Sequence, residues 1–166
     1  EASDSNGDSL RYTVSFQPEG QTLWQTLQAD LVDSVFAWDT TLTPDGAYRI
    51  KISATDAPDN SPQNTLVGQR ESPVFDIDNS APRVEILGVE QQGDQASLAF
   101  HVSDTHSPIR HVEIREGTGP WRVVYPTDGI PDGLLEEFLV SIVGDENSAV
   151  IRATDALANT VTVSGR

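Results

Sequence analysis

The chain has no cysteine and no methionine. Without cysteine there is no disulfide, no thiol nucleophile and no cysteine-ligated metal. Cations are scarce: Lys and Arg total 10 against 26 Asp and Glu, a formal net charge of −16, and Lys51 is the one lysine. A surface this acidic repels phosphate, which excludes nucleic-acid binding by counterion release and disfavours anionic membrane surfaces. No run of about 18 apolar residues occurs, so no membrane insertion through a helix is expected. The sequence opens at Glu1 without a Met or a signal peptide, and reads as a piece of a longer or processed protein.

What is present is 166 residues, 37% of them apolar, with 3 Trp, 3 Tyr and 5 Phe. That suffices for one large domain or two small ones, each with an ordinary core. Short alternating segments separated by Gly, Pro, Asn and Asp dominate, the pattern of half-buried strands. They run through Leu10–Phe16, Thr22–Leu27, Ser34–Thr40, Tyr48–Thr55 and Val74–Ile77. Asp78-Asn79-Ser80-Ala81-Pro82 then breaks the chain. The pattern resumes at Val84–Val89, Ala96–Ser103, Val112–Ile114, Trp121–Tyr125, Glu137–Ile142, Ala149–Thr154 and Thr160–Val163. This many short strands predicts an all-β chain of two tandem antiparallel β-sandwiches, residues 1–80 and 81–166, since one open sheet would leave long edges uncovered.

An internal repeat supports two modules. Ile52-Ser53-Ala54-Thr55-Asp56 matches Ile151-Arg152-Ala153-Thr154-Asp155, and Asn60 and Asn159 each follow four residues later. Trp24 and Trp121 each follow a glycine-containing turn after a strand. Two strands precede the matched region in the second copy, but only Glu1–Ser9 precedes it in the first. The first module is therefore expected to lack its first two strands. The gap would be filled by a neighbouring copy, by strand swapping or edge pairing, by the second module, or by strands upstream in a parent protein.

Leu42-Thr43-Pro44-Asp45-Gly46-Ala47-Tyr48 resembles the Leu-x-Pro-x-x-x-Tyr corner of fibronectin type III domains, in which the Tyr hydroxyl bonds back to the backbone. The resemblance assigns structural roles to Leu42, Pro44 and Tyr48, and makes the five strands of the first half C, C′, E, F and G of that fold. The second half is similar but lacks the corner. Such fibronectin type III-like or immunoglobulin-like modules, as they occur in bacterial extracytoplasmic proteins, imply a secreted, periplasmic or cell-surface location. They imply neighbouring domains of a longer polypeptide as partners.

Catalysis is not expected, and no cofactor. No Gly-x-Ser-x-Gly elbow or phosphate-cradling loop is present. Glu136 and Glu137 are adjacent and would point to opposite faces of a strand. His101, His106 and His111 have no compact ligand spacing. Two acidic stretches are the calcium candidates, since calcium takes six to eight oxygen ligands: Asp4, Asn6 and Asp8 in the first, Asp76, Asp78 and Asn79 in the second. Trp38 alternates with Phe36 as a core residue would, while Trp24 and Trp121 are structural or, alternatively, a sugar-stacking platform. The expected function is a non-catalytic spacer or scaffold. The alternatives are a carbohydrate-binding accessory module or another interaction module with a protein ligand, and a calcium-stiffened adhesin repeat.

Overall fold

A computed structural model, describing residues 2–93, 95–143 and 149–164, gives an all-β chain in two compact units, Glu1–Ile77 and Asp78–Arg166. The boundary falls after Ile77 rather than after Ser80. Asp78 belongs to the second unit because Ser107 Oγ donates to its Oδ2 (2.5 Å) and Asn159 Nδ2 donates to its carbonyl (2.9 Å).

Unit 2 is a β-sandwich. Strands β6 (Arg83–Gln92), β7 (Gln95–Ser103) and β10 (Leu135–Val143) form one antiparallel sheet in the order β10-β7-β6. Strands β8 (Ile109–Glu116), β9 (Arg122–Val124), β11 (Ala149–Asp155) and β12 (Thr160–Ser164) form the other, in the order β12-β11-β8-β9. Period-two alternation sends Ala96, Leu98, Phe100 and Val102 of β7 inward with Phe138, Val140 and Ile142 of β10. They meet Ile109, Val112 and Ile114 of β8 and Ala149, Ile151 and Ala153 of β11 in one core. Phe100 and Phe138 are direct cross-strand partners whose rings stack 4.9 Å apart. Burying such a ring fully is worth roughly 1.5–3 kcal/mol.

The outer edge of β10 is partly covered by side-chain and loop hydrogen bonds. Val143 N–H donates to Glu116 Oε2 (2.8 Å), the Ser141 carbonyl accepts from Arg122 Nη2 (2.8 Å), and the Glu137 carbonyl accepts from Thr127 N–H (2.7 Å). A row of unpaired backbone groups would otherwise recruit another chain.

Unit 1 is a single five-stranded antiparallel sheet. Strands β1 (Arg11–Pro18), β2 (Gln25–Leu31), β3 (Gly46–Thr55) and β4 (Val67–Glu71) stand in the order β2-β1-β3-β4, and β5 (Phe75–Ile77) also pairs with β3. β4 and β5 run along one edge of β3, interrupted at Pro73, which has no N–H to donate. Ser72 bridges the break: its N–H donates to the Ile50 carbonyl (2.8 Å) and its Oγ accepts from Ile50 N–H (3.0 Å). In β2, Asp30 adopts φ 59° at a register shift against β1, and Arg11 Nε pairs with its carboxylate at 3.2 Å.

The expected strand at Ser34–Thr40 is not a strand, and the first unit has no second sheet among the described residues. The reason lies in the repeat. In unit 1, Tyr12, Val14 and Phe16 pair with Ala54, Ile52 and Ile50. In unit 2, Val112, Ile114 and Glu116 pair with Ala153, Ile151 and Ala149. The β1–β3 ladder thus repeats the β8–β11 ladder pair for pair. Residues 34–40 then occupy the chain position of β10, whose one ladder is to β7. Among the described residues unit 1 has no counterpart of β6 or β7, and residues 34–40 join no ladder. Trp38 still packs inward, its ring 4.9 Å from Phe16 and edge-on to Tyr48. β4 was not expected because Val67-Gly-Gln-Arg-Glu71 lacks alternation, and every residue of it is exposed.

Candidate functional site

The acidic residues gather into one cluster in each unit. In unit 2, carboxylate oxygens of Asp78, Asp104 and Asp155 lie within 4.8 Å of one another. Each carboxylate comes from a different segment: the chain ahead of β6, the β7–β8 connection and the end of β11. Asp155 is fully buried. Its Oδ1 accepts from Leu157 N–H (2.8 Å) and Asn159 N–H (2.9 Å), and its Oδ2 accepts from Asn159 Nδ2 (2.9 Å). Asp104 Oδ1 accepts from the His106 and Ser107 N–H groups at 2.8 and 3.0 Å. Asp78 accepts from Ser80 N–H (3.0 Å) as well as from Ser107. Charge-assisted bonds of this kind offset the mutual repulsion and the desolvation of the carboxylates.

In unit 1, Asp4, Asp8 and Asp56 group in the same way. Asp4 Oδ1 accepts from Asn6 N–H (2.8 Å) and Asp8 N–H (3.2 Å), Asp56 Oδ1 accepts from Leu66 N–H (2.7 Å), and Asn60 Nδ2 donates to Asp8 (2.9 Å). Ser9 N–H donates to Asp59 at 2.6 Å and holds that carboxyl below the usual carboxylate range. Of the calcium candidates, then, Asp4, Asp8 and Asp78 join clusters. Asn6 contributes its backbone N–H. Asp76 sits exposed in β5, paired with Ala47, and Asn79 is exposed in the chain ahead of β6. Asp56, Asp104 and Asp155 complete the clusters and were not among the candidates. The available signal was the repeated Asp-x-x-x-Asn, Asp56/Asn60 and Asp155/Asn159.

As arranged, these carboxylates fasten loops to strand ends, and each cluster brings three of them together; calcium takes six to eight oxygens.

The tryptophans divide by face. Trp24 lies under Lys51 Nζ, 4.3 Å from its ring centroid. Trp121 lies under Arg152 (4.3 Å) and Arg115 (4.8 Å). In both units a cation stacks on the ring, each contact worth about 0.5–1 kcal/mol. Arg152 also pairs with Glu113 Oε2 at 2.5 Å. That hydrogen bond is the main reason the Glu113 carboxyl sits below its ordinary range. Glu116 is lowered chiefly by the Val143 N–H.

The Tyr48 hydroxyl donates to the Pro44 carbonyl at 2.7 Å, closing the corner before β3. Leu42, given a structural role by the resemblance, is 96% exposed. The histidines serve separate contacts, His101 with Glu85 (3.4 Å), His111 with Glu113 (3.6 Å) and His106 with Thr105 (2.9 Å). Glu136 is buried and caps the Asp132 and Gly133 N–H groups (2.8 and 2.6 Å), while Glu137 is exposed on the opposite face.

No family model matches the chain, and no curated protein matches it.

Proposed function

We propose that the chain is a non-catalytic spacer, built of fibronectin type III-like or immunoglobulin-like modules, in a larger secreted, periplasmic or cell-surface protein. One observation carries this reading. The chain passes from its last pairing in unit 1, Ile77 with Gly46, directly to Asp78, which Ser107 and Asn159 tie into unit 2. No unattached residue intervenes, as a stiff spacer requires.

The module type is supported by the strand order. Lettered A, B, C, C′, E, F, G in chain order, the sheets of unit 2 read E-B-A and G-F-C-C′, the partition of an immunoglobulin-like sandwich. The Tyr48–Pro44 corner supports the same type in unit 1. The chemistry-bearing side chains described above are spent on loops and strand edges, which leaves mechanical work as the role they serve.

The native absence of cysteine makes the test direct. Spin labels on one introduced cysteine per unit report the inter-unit distance distribution. It should be narrow in the native sequence, and broad after insertion of five Gly/Ser residues between Ile77 and Asp78. An already broad native distribution overturns the spacer reading.

A further inference from the structure

We propose that two copies of this chain pair through the apolar face of unit 1, about a two-fold axis that sets a ridge of each copy into a groove of the other. Three adjoining grooves of about 330, 260 and 250 Å³ lie on this face and share Ile52, which is 46% exposed. The largest is lined by Val14, Leu27, Ile50 and Trp38, and Asp33 is its one charged lining residue. In a chain of net charge −16, a face cleared of acid is where two copies approach without mutual repulsion.

The face carries both halves of a self-complementary contact. Val35, 80% exposed, and Phe36 stand along the largest groove just after β2, which forms one margin of the sheet. Arg70 stands on β4 at the other margin, on the same face as its cross-strand partner Ile52, and the two smaller grooves run beside it. Gly68, two residues away in β4, leaves open space where a side chain would stand. Asp33 and Arg70 are both exposed, and neither has an ion-pair or hydrogen-bond partner among the described residues. A two-fold axis lying in the interface exchanges the two margins. Val35 of one copy then meets the groove beside Ile52 and Gly68 of the other, and Asp33 meets Arg70, twice over. A different partner would have to bring a base for Asp33 and an acid for Arg70 at the same separation; a second copy carries both. Four strands about 4.8 Å apart and roughly 25 Å long give a face of roughly 500 Å², which suits a weak, specific dimer rather than an obligate one. In dilute solution the monomer therefore predominates and Ile52 stays exposed.

Sedimentation of the full chain from about 1 μM to about 1 mM, the range in which weak dimers form, provides the test. The mass should rise with concentration from 18.0 kDa toward twice that value and no further. Val35→Asp places an acid on an exposed ridge and should abolish the rise. Asp33→Arg and Arg70→Asp should each weaken association by about tenfold or more, and the two together should restore it to within about threefold of the native chain. A chain that stays at 18.0 kDa throughout overturns the proposal. So does a dimer indifferent to Val35→Asp, whose contact lies elsewhere. Growth past the dimer overturns it too, as does a double variant that associates no better than the single ones.

Discussion

Truncation of the same isoleucine in the two units is the sharpest measure of what the missing sheet does. Ile→Ala removes three carbons, worth roughly 2.5 kcal/mol of transfer free energy when fully buried. At Ile151, 0% exposed among Leu98, Phe100 and Ile114, a cavity term adds to this, and the cost should reach about 3–4 kcal/mol. At Ile52, 46% exposed, about half of the transfer term is lost, and solvent fills the space, so the cost should be about 1 kcal/mol. Native-state hydrogen exchange reads each unit by its own amides, at Val14 and Ile52 in one and at Ile114 and Ile151 in the other. Denaturant midpoints give the totals. Equal costs for Ile52→Ala and Ile151→Ala refute the reasoning, because they require unit 1 to cover its face.

Further expectations concern unit 2. Ala158 adopts φ 72°, where an L side chain costs about 1 kcal/mol, so Ala158→Gly should raise stability by about 0.5–1 kcal/mol in chemical denaturation. Asp155→Ala strands the Leu157 and Asn159 N–H groups and should cost on the order of 3 kcal/mol, read as a shift in the unfolding midpoint. Calcium at millimolar concentration should leave the melting temperature unchanged, since each cluster offers three carboxylates against the six to eight oxygens calcium takes; a rise of several degrees with measurable heat contradicts this. Glu113 is lowered in the folded state, so its contribution is present above the unfolded value of about 4.3 and is lost as pH falls through the lower folded value. Glu113→Gln should flatten that part of the stability–pH curve, and an unaltered slope counts against the Arg152 pairing.

Strand content, the two-unit division and the repeat are local properties, and local patterns reveal them. Alternation in Leu98-Ala-Phe100-His-Val102 exposes a half-buried strand because side chains on a strand point to opposite faces. The recurrence of Ala-Thr-Asp at 54–56 and 153–155 marks equivalent strand ends. The same alternation in Val35-Phe36-Ala37-Trp38 misleads, because a strand also needs a partner for its backbone groups, and no residue of the segment reports whether one exists. β4 is the reverse case: Val67–Glu71 carries no pattern, and its pairing with β3 is imposed by that strand's free edge. The acidic clusters likewise depend on distant segments. Asp78, Asp104 and Asp155 are far apart along the chain and meet only when three strand ends arrive at one end of the sandwich. Composition and periodicity dictate which residues form strands and which face is apolar, because those are nearest-neighbour effects. Which strands find partners, which isoleucine is dry, and which carboxylates converge are settled by long-range pairing, which the three-dimensional packing alone supplies.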